Sequence, residues 1–271
     1  PDELGGVFVR PYEYPIDYKI IDFSSEKIDI DKNSCYSHLI NADFQLRKSL
    51  DKNNYKYDIS SDNFLDNFSN IKDYKLIIFG THNEYWTSAK VKNVANYIDN
   101  GGNVLFLGGN TAWRSIERYP SYEKIWGKAS LEKNLEGLKF RNKYLGSYFS
   151  GNGYFTWAPF KVNPNLRQLD KKIFPLLNKG KTFGIGSDFK NCKRFIKGAS
   201  GHETDKLINT QDFSLLAKGA NPNKGGSHIV YKEFTSGGSV LNFGTLALWH
   251  KTKDEIINHL INVFINKAIF D

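Results

Sequence analysis

The sequence contains no methionine and only two cysteines, and it has no apolar run of about 18 residues. The missing long run excludes a transmembrane helix. Cys35 and Cys192 lie far apart in sequence and have no histidine at ligand spacing, which excludes both a disulfide framework and a thiol-based zinc cluster. They are expected to be reduced structural thiols, which favours a reducing compartment. Without any methionine the chain, beginning at Pro1, does not contain its own start codon; an upstream targeting segment and the localisation are both left open. Basic blocks are missing too. The net charge is +8, but the lysines are scattered, with no run of five or six and no basic helix, so a nucleic-acid partner is not expected.

What is present is an ordinary globular composition, with 40% hydrophobic and 24% charged residues in a 271-residue chain. There is no internal repeat, low-complexity tract or linker, so a single domain is expected. Short strands are expected at Val7–Arg10 and Tyr18–Phe23, and a helix over Leu39–Leu50 with Ser37 as its cap. "YKYDIS" predicts another strand. "KLIIFG" is a short apolar β-type run, and Val91, Val94, Ala95 and Ile98 form one stripe of a helix beginning near Thr87. Gly101-Gly102 end that helix, and "NVLFLGG" follows as a buried-type strand. Strand, helix and strand in such close order predict a βαβ unit and a parallel sheet.

Residues 111–165 read as an irregular, aromatic-rich insertion or lid holding short strands in "LGSYFSG" and "YFTWAPFKV". Hairpin signals near the end, "SHIVYKEF", "TSGG" and "SVLNFG", predict antiparallel strands. Asp254–Phe270 reads as an amphipathic closing helix.

Ligands of open parallel sheets bind outside the carboxyl ends of the strands. Two such ends carry chemistry: "GTHNEYW" with His82, Glu84 and Tyr85, and "GGNTAWR" with Asn110 and Arg114. Trp86 is expected to pack, Tyr85 is equally explicable as a core aromatic, and Glu84 as a carboxylate favoured at a helix start. A third polar stretch, "GASGHETDK", places His202, Glu203 and Asp205 in one glycine-flanked loop, which alone reads equally as a solvated turn.

The order "FVRPYEY", "YKYDISSDNF", "YKLIIFGTHNEYWT", "YIDNGGNVLFLGGNTAWR" and "GHETD" resembles the C-terminal domain of the N,N-dimethylformamidase large (β) subunit. The likeness is dense over residues 7–118, thinner from about 182 to 245, and poor between. It implies a flavodoxin-like three-layer α/β sandwich with a mostly parallel central sheet, as in class I glutamine amidotransferases. Those enzymes carry a nucleophilic cysteine at the strand end where this chain has Gly108-Gly109, so a thiol mechanism is not expected. The resemblance instead implies a hydrolase of small amides or related C–N bonds with a mononuclear iron site. Tyr85 would be one metal ligand by motif, Tyr36 (or Tyr12) the second tyrosine and Glu136 the carboxylate, since phenolates and carboxylates suit a ferric ion. Glu203 with His202 would handle protons, while Asn110, Arg114, His82 and Glu84 would position a small-molecule substrate. A homo-oligomer or partner subunit is compatible with it. Two other readings stand beside it: a non-catalytic amidotransferase-like binding or assembly domain for a carbohydrate or protein, and a structural domain of a larger secreted or surface protein.

Overall fold

The computed structural model describes residues 8–11, 40–80, 82–119, 122–125, 135–152, 156–178, 182–188, 197–208, 211–251 and 253–270. Ser37, Cys35, Cys192 and the expected strand at Tyr18–Phe23 lie outside the described residues.

The centre is a seven-stranded sheet in the order Thr182–Phe183, Phe160–Val162, Ser214–Gly219, His228–Glu233, Ser239–Asn242, Asn103–Phe106, Leu76–Phe79. Leu76–Phe79, Asn103–Phe106 and Ser239–Asn242 run parallel, with Ile77 beside Val104 and Val104 beside Val240. The other four junctions are antiparallel. The sheet is therefore mixed, and the expectation of a mostly parallel one is corrected. Ser214–Gly219, His228–Glu233 and Ser239–Asn242 follow one another through short connections, which gives antiparallel pairing at two of these junctions.

Helix Ser88–Asp99 links the first two parallel strands as the apolar stripe predicted. Thr87 caps it, its Oγ1 accepting from Lys90 N at 3.0 Å. Gly101, at φ 92°, turns the chain out of the helix in the left-handed region, and Gly102 N donates back to Tyr97 O at 2.9 Å.

Both sheet faces are covered, which is why its strands read as continuous apolar runs. Leu105, Leu107, Leu241 and Phe243 face the closing helix Glu255–Phe270 through Ile257, Leu260, Ile261 and Phe264. Val104, Phe106 and Val240 face Val91, Val94 and Ile98, with Phe140 of helix Leu135–Phe140. Each such side chain taken fully from water contributes about 1.5–3 kcal/mol.

Two expectations are altered. Residues 55–60 form no strand; Tyr55 and Tyr57 instead use their hydroxyls on Asn266 and Asp51 at 2.7 and 2.5 Å. Residues 111–165 are also more than an insertion. Arg114–Arg118 joins Phe8–Pro11, Tyr122–Ile125 and Tyr85–Trp86 in a second sheet, and Phe160–Val162 belongs to the main one. No helix among the described residues is long and apolar enough to cross a membrane.

Candidate functional site

Pairing between the first two parallel strands continues past their ends. Leu107 N donates to Phe79 O at 3.1 Å, and His82 bridges Gly109 in parallel register. The two tips are then sewn together, with Ala112 N donating to Asn83 O and both Trp113 N and Arg114 N to Glu84 O, at 2.9–3.0 Å. Trp86 packs as expected: it is fully buried, stacked on Phe79 at 5.1 Å, with its indole N–H on Asn83 O at 2.8 Å.

A third segment closes the site. Thr204 bridges Thr245, Asp205 N donates to Gly244 O at 2.8 Å, and Leu246 N donates to Glu203 O at 3.3 Å. The 201–205 stretch is thereby pinned to the end of the third parallel strand. It crosses directly over Gly109, where a Cβ would fall on the Glu203 carbonyl oxygen, 3.0 Å from its carbon and 3.2 Å from Gly244 O. The second glycine of the "GGN" motif is thus required by close backbone approach of the Glu203 main chain.

The side chains form a compact charged set. Arg114 Nε donates to Glu84 Oε1 at 2.9 Å, both side chains about nine-tenths buried. His82 Nε2 stands 3.5 Å from Glu84 Oε2 and 3.9 Å from Glu203 Oε2. Asn110 N donates to Asp205 Oδ1 at 2.7 Å. Asn110 and Ala112 hold φ of 57° and 54°, a conformation that costs a non-glycine residue about 1–2 kcal/mol and tends to collect at functional sites.

Burial pushes the Glu203 carboxyl up to about 7. His82, Asn110 and Arg114 favour its charged form, while Glu84 opposes it. Asp205 is fully buried and likewise raised to about 7, chiefly by desolvation and further by Glu203, against the N–H groups of Asn110 and Thr111 and the Arg141 cation.

Arg141 was not foreseen from sequence. It is buried in the π-type turn Arg141–Leu145, its guanidinium 5.7 Å from the Trp113 ring centre. No local motif marks it.

The structure brings together His82, Glu84, Asn110, Arg114 and Glu203. Tyr85 borders them, its ring 6.2 Å from that of His82. The imidazole beside Glu203 is His82; His202 lies 6.3 Å from the Trp157 ring, with its backbone at φ 65°. Glu136 is not part of the group. It pairs with Lys92 at 3.4 Å on a half-exposed surface, and Phe140, one turn on, packs against Trp86, the neighbour whose side chain points opposite to Tyr85. Tyr36 and Tyr12 lie outside the described residues. Among the described residues no set of three or more His, Cys, Asp or Glu side chains could hold a metal ion. The described donors supply Tyr85 alone of the implied tyrosine–tyrosine–glutamate set, so they do not make up an iron site.

Comparison with known proteins gives this geometry a setting. Residues 6–253 match the family model of the N,N-dimethylformamidase beta subunit-like C-terminal domain. The chain belongs to this family. A curated relative, the N,N-dimethylformamidase beta subunit of an Alcaligenes species, is 30% identical over 87 residues, which is 31% of this chain and 11% of that subunit. The chain thus spans about a tenth of that dimethylformamidase subunit's length. A ThuA-like protein from Bacteroides uniformis shares the fold at a TM-score of 0.52 and 16% identity, over 86% of this chain and 87% of its own.

Proposed function

We propose that this dimethylformamidase-like domain hydrolyses a small amide or related C–N bond, with Glu203 as the group that moves protons. The geometry that carries this reading is a largely buried carboxyl beside His82, with Glu84 and Arg114 next to it, at the carboxyl ends of parallel strands; burial raises its proton affinity. A carboxyl with this affinity is half ionised at neutral pH, which is where an acid/base group works best. Its carboxylate takes a proton from water as the water oxygen bonds to the substrate carbonyl carbon. The same proton then passes to the amide nitrogen as the C–N bond breaks, and the carboxylate is restored.

Arg114 gives Nε to Glu84, and its guanidinium has further N–H groups suited to the oxyanion that develops on the carbonyl. His82, with its ring partly open to solvent, stands where it can orient the substrate or water against Glu203. A thiol nucleophile has no room at the elbow, as Gly109 faces backbone.

Iron belongs to the proposal through Tyr85 only, and no step depends on it. The named activity of the relative and its designation as a beta subunit extend the proposal to small N-alkyl formamides and to a partner subunit. The test is amine release from formamide, N-methylformamide and N,N-dimethylformamide by purified protein, alongside Glu203→Gln. Turnover lost about 10²-fold or more in the variant supports the assignment. Equal turnover in both, or none in either, overturns it. Metal analysis of wild type and Tyr85→Phe tests the iron: unchanged stoichiometric iron in the variant removes Tyr85 as a ligand.

A further inference from the structure

We propose that the outer face of a two-stranded ribbon, Ser147–Phe149 paired with Asp205–Leu207, forms with the loop tip at Lys224 a docking surface for an acidic partner protein. This surface lies outside the amide reading, and nothing in it depends on that reading.

The ribbon has two unlike faces because side chains alternate along a strand. Ser147 and Asp205 are fully buried, and Leu207 packs inward against the core. The opposite face carries Lys206 and, directly across from it, Tyr148, with Ile208 two positions beyond Lys206. Tyr148 and Ile208 are 37% and 38% exposed. Among the described residues no ring contact or hydrogen bond occupies the Tyr148 side chain. The ribbon is fastened from below, where Leu207 N donates to His228 Nδ1 at 3.1 Å. His228 lies opposite Lys218 in the main sheet and Lys218 opposite Lys161, so these three side chains share one face. Lys206 Nζ donates to the carbonyl of Lys224, which joins the ribbon to the loop tip.

Charge defines the partner. Lys143, Lys251 and Lys267 each meet a carboxylate, but among the described residues none of Lys161, Lys206, Lys218 and Lys224 forms an ion pair. Burial and then the Lys224 charge lower the proton affinity of Lys206; burial, then Lys218 and Lys206, bring His228 down to about 4. The cations thus face one another across a neutral imidazole, and an anionic surface would relieve their repulsion. Tyr148 and Ile208 give the patch the apolar centre that charged side chains ring in protein interfaces. A phosphate backbone has no use for an aliphatic side chain, and the set lacks the arginines that grip phosphate in a fork. A second copy of this chain, paired about a two-fold axis, would bring lysines against lysines. What fits is a protein surface with carboxylates around an apolar patch.

The probes are polyglutamate and a glutamate–tyrosine copolymer, titrated against the intact protein, with hydrogen exchange to locate the contact. Protection by the copolymer should fall on residues 147–149, 206–208 and 218–224. Lys206→Glu with Lys224→Glu should weaken both polymers about tenfold or more. Lys52→Glu with Lys172→Glu, exposed lysines elsewhere with the same change of net charge, should weaken them less than about threefold. Tyr148→Ser should weaken the copolymer and leave polyglutamate unchanged. If Lys206→Glu does not fold, Lys218→Glu with Lys224→Glu, both exposed, serves the same test. Equal losses in the two charge-reversed pairs, protection spread over the other lysines, or no binding of the copolymer overturns the proposal. So does a dimer in sedimentation that buries the ribbon, or duplex DNA bound there more tightly than the copolymer.

Discussion

Replacing Gly109 by alanine probes the contact on which the site is built. The added Cβ meets backbone on two sides, the carbonyl of Glu203 and, at 3.2 Å, that of Gly244. Neither is the end of a flexible side chain, so the segment itself must shift. Forcing a methyl group into packed surroundings costs about 1–3 kcal/mol. The same Glu203 oxygen accepts the 3.3 Å bond from Leu246 N, and losing that bond adds about 1 kcal/mol. The sum is about 2–4 kcal/mol, and at about 2–4 °C per kcal/mol the melting temperature should fall by roughly 4–16 °C. Gly237→Ala is the control: its φ of 90° strains an alanine, but nothing lies within 4 Å, so its cost should stay near 1–2 kcal/mol. Thermal melts followed by circular dichroism measure both. The Gly109 variant should also lose amide turnover out of proportion to its stability, since the carbonyl that moves belongs to Glu203. A melting temperature equal to that of Gly237→Ala would show that the two segments do not abut, and the account of the missing elbow would fall with it.

Three further outcomes follow from the same geometry. Glu203 binds its proton more tightly folded (about 7) than unfolded (about 4.5), so its contribution to stability is full below pH 4.5 and lost as pH rises to 7; the stability of Glu203→Gln relative to wild type should therefore climb between pH 5 and 8 by as much as a few kcal/mol, and a pH-independent difference in urea denaturation would contradict it. Arg114→Ala leaves the buried Glu84 carboxylate with only the His82 imidazole beside it and should cost about 3–5 kcal/mol, with Glu84→Gln recovering part of it in the double variant; additive losses would show that the pair is not coupled. Lys90 is fully buried, its Nζ 3.0 Å from Asp62 and 4.4 Å from the Trp86 ring centre, while the Asp62 side chain is half exposed; Lys90→Met should be neutral or stabilising in thermal melts, because it removes a desolvated cation and leaves an anion that water can reach, and a loss above about 2 kcal/mol would mean that the ion pair holds the 62–66 turn in place.

The parts of the fold legible in sequence are those fixed by local periodicity. Leu76–Phe79, Ser88–Asp99, Asn103–Phe106 and the closing helix each carry a pattern that needs no partner to be read. The order of strands across the sheet does not lie in such patterns. The turn signals predict antiparallel pairing around His228–Glu233, as found, but nothing local shows that these strands join the parallel ones in a single mixed sheet. In the site, the grouping of His82, Glu84, Asn110 and Arg114 followed from two neighbouring strand ends. Which histidine serves Glu203 could not follow. His202 precedes it in the chain, but a left-handed backbone at φ 65° sends that ring to Trp157, while His82 arrives from 121 positions away. Arg141 and Asp205 meet across 64 positions and share no motif. Glu136 shows the opposite failure, since a plausible residue type in a plausible interval proves to belong to a surface pair with Lys92.

The strand end at Gly109 is where the proposed site is assembled from separate elements. An elbow presents its nucleophile from a single tight turn, so its reactive atom is placed by local geometry. In this chain Gly109 meets backbone, and the carboxyl proposed to move protons comes from a segment 94 residues later. Its placement then depends on contacts with the third parallel strand: Thr204 to Thr245, Asp205 to Gly244 and Leu246 to Glu203. Such a carboxyl is assembled only when the sheet is complete, and its proton affinity is set by groups from several elements. Gly109 and the segment that carries the proposed proton-moving carboxylate thus share one packing contact. Enlarging the first should disable the second, even where the fold survives.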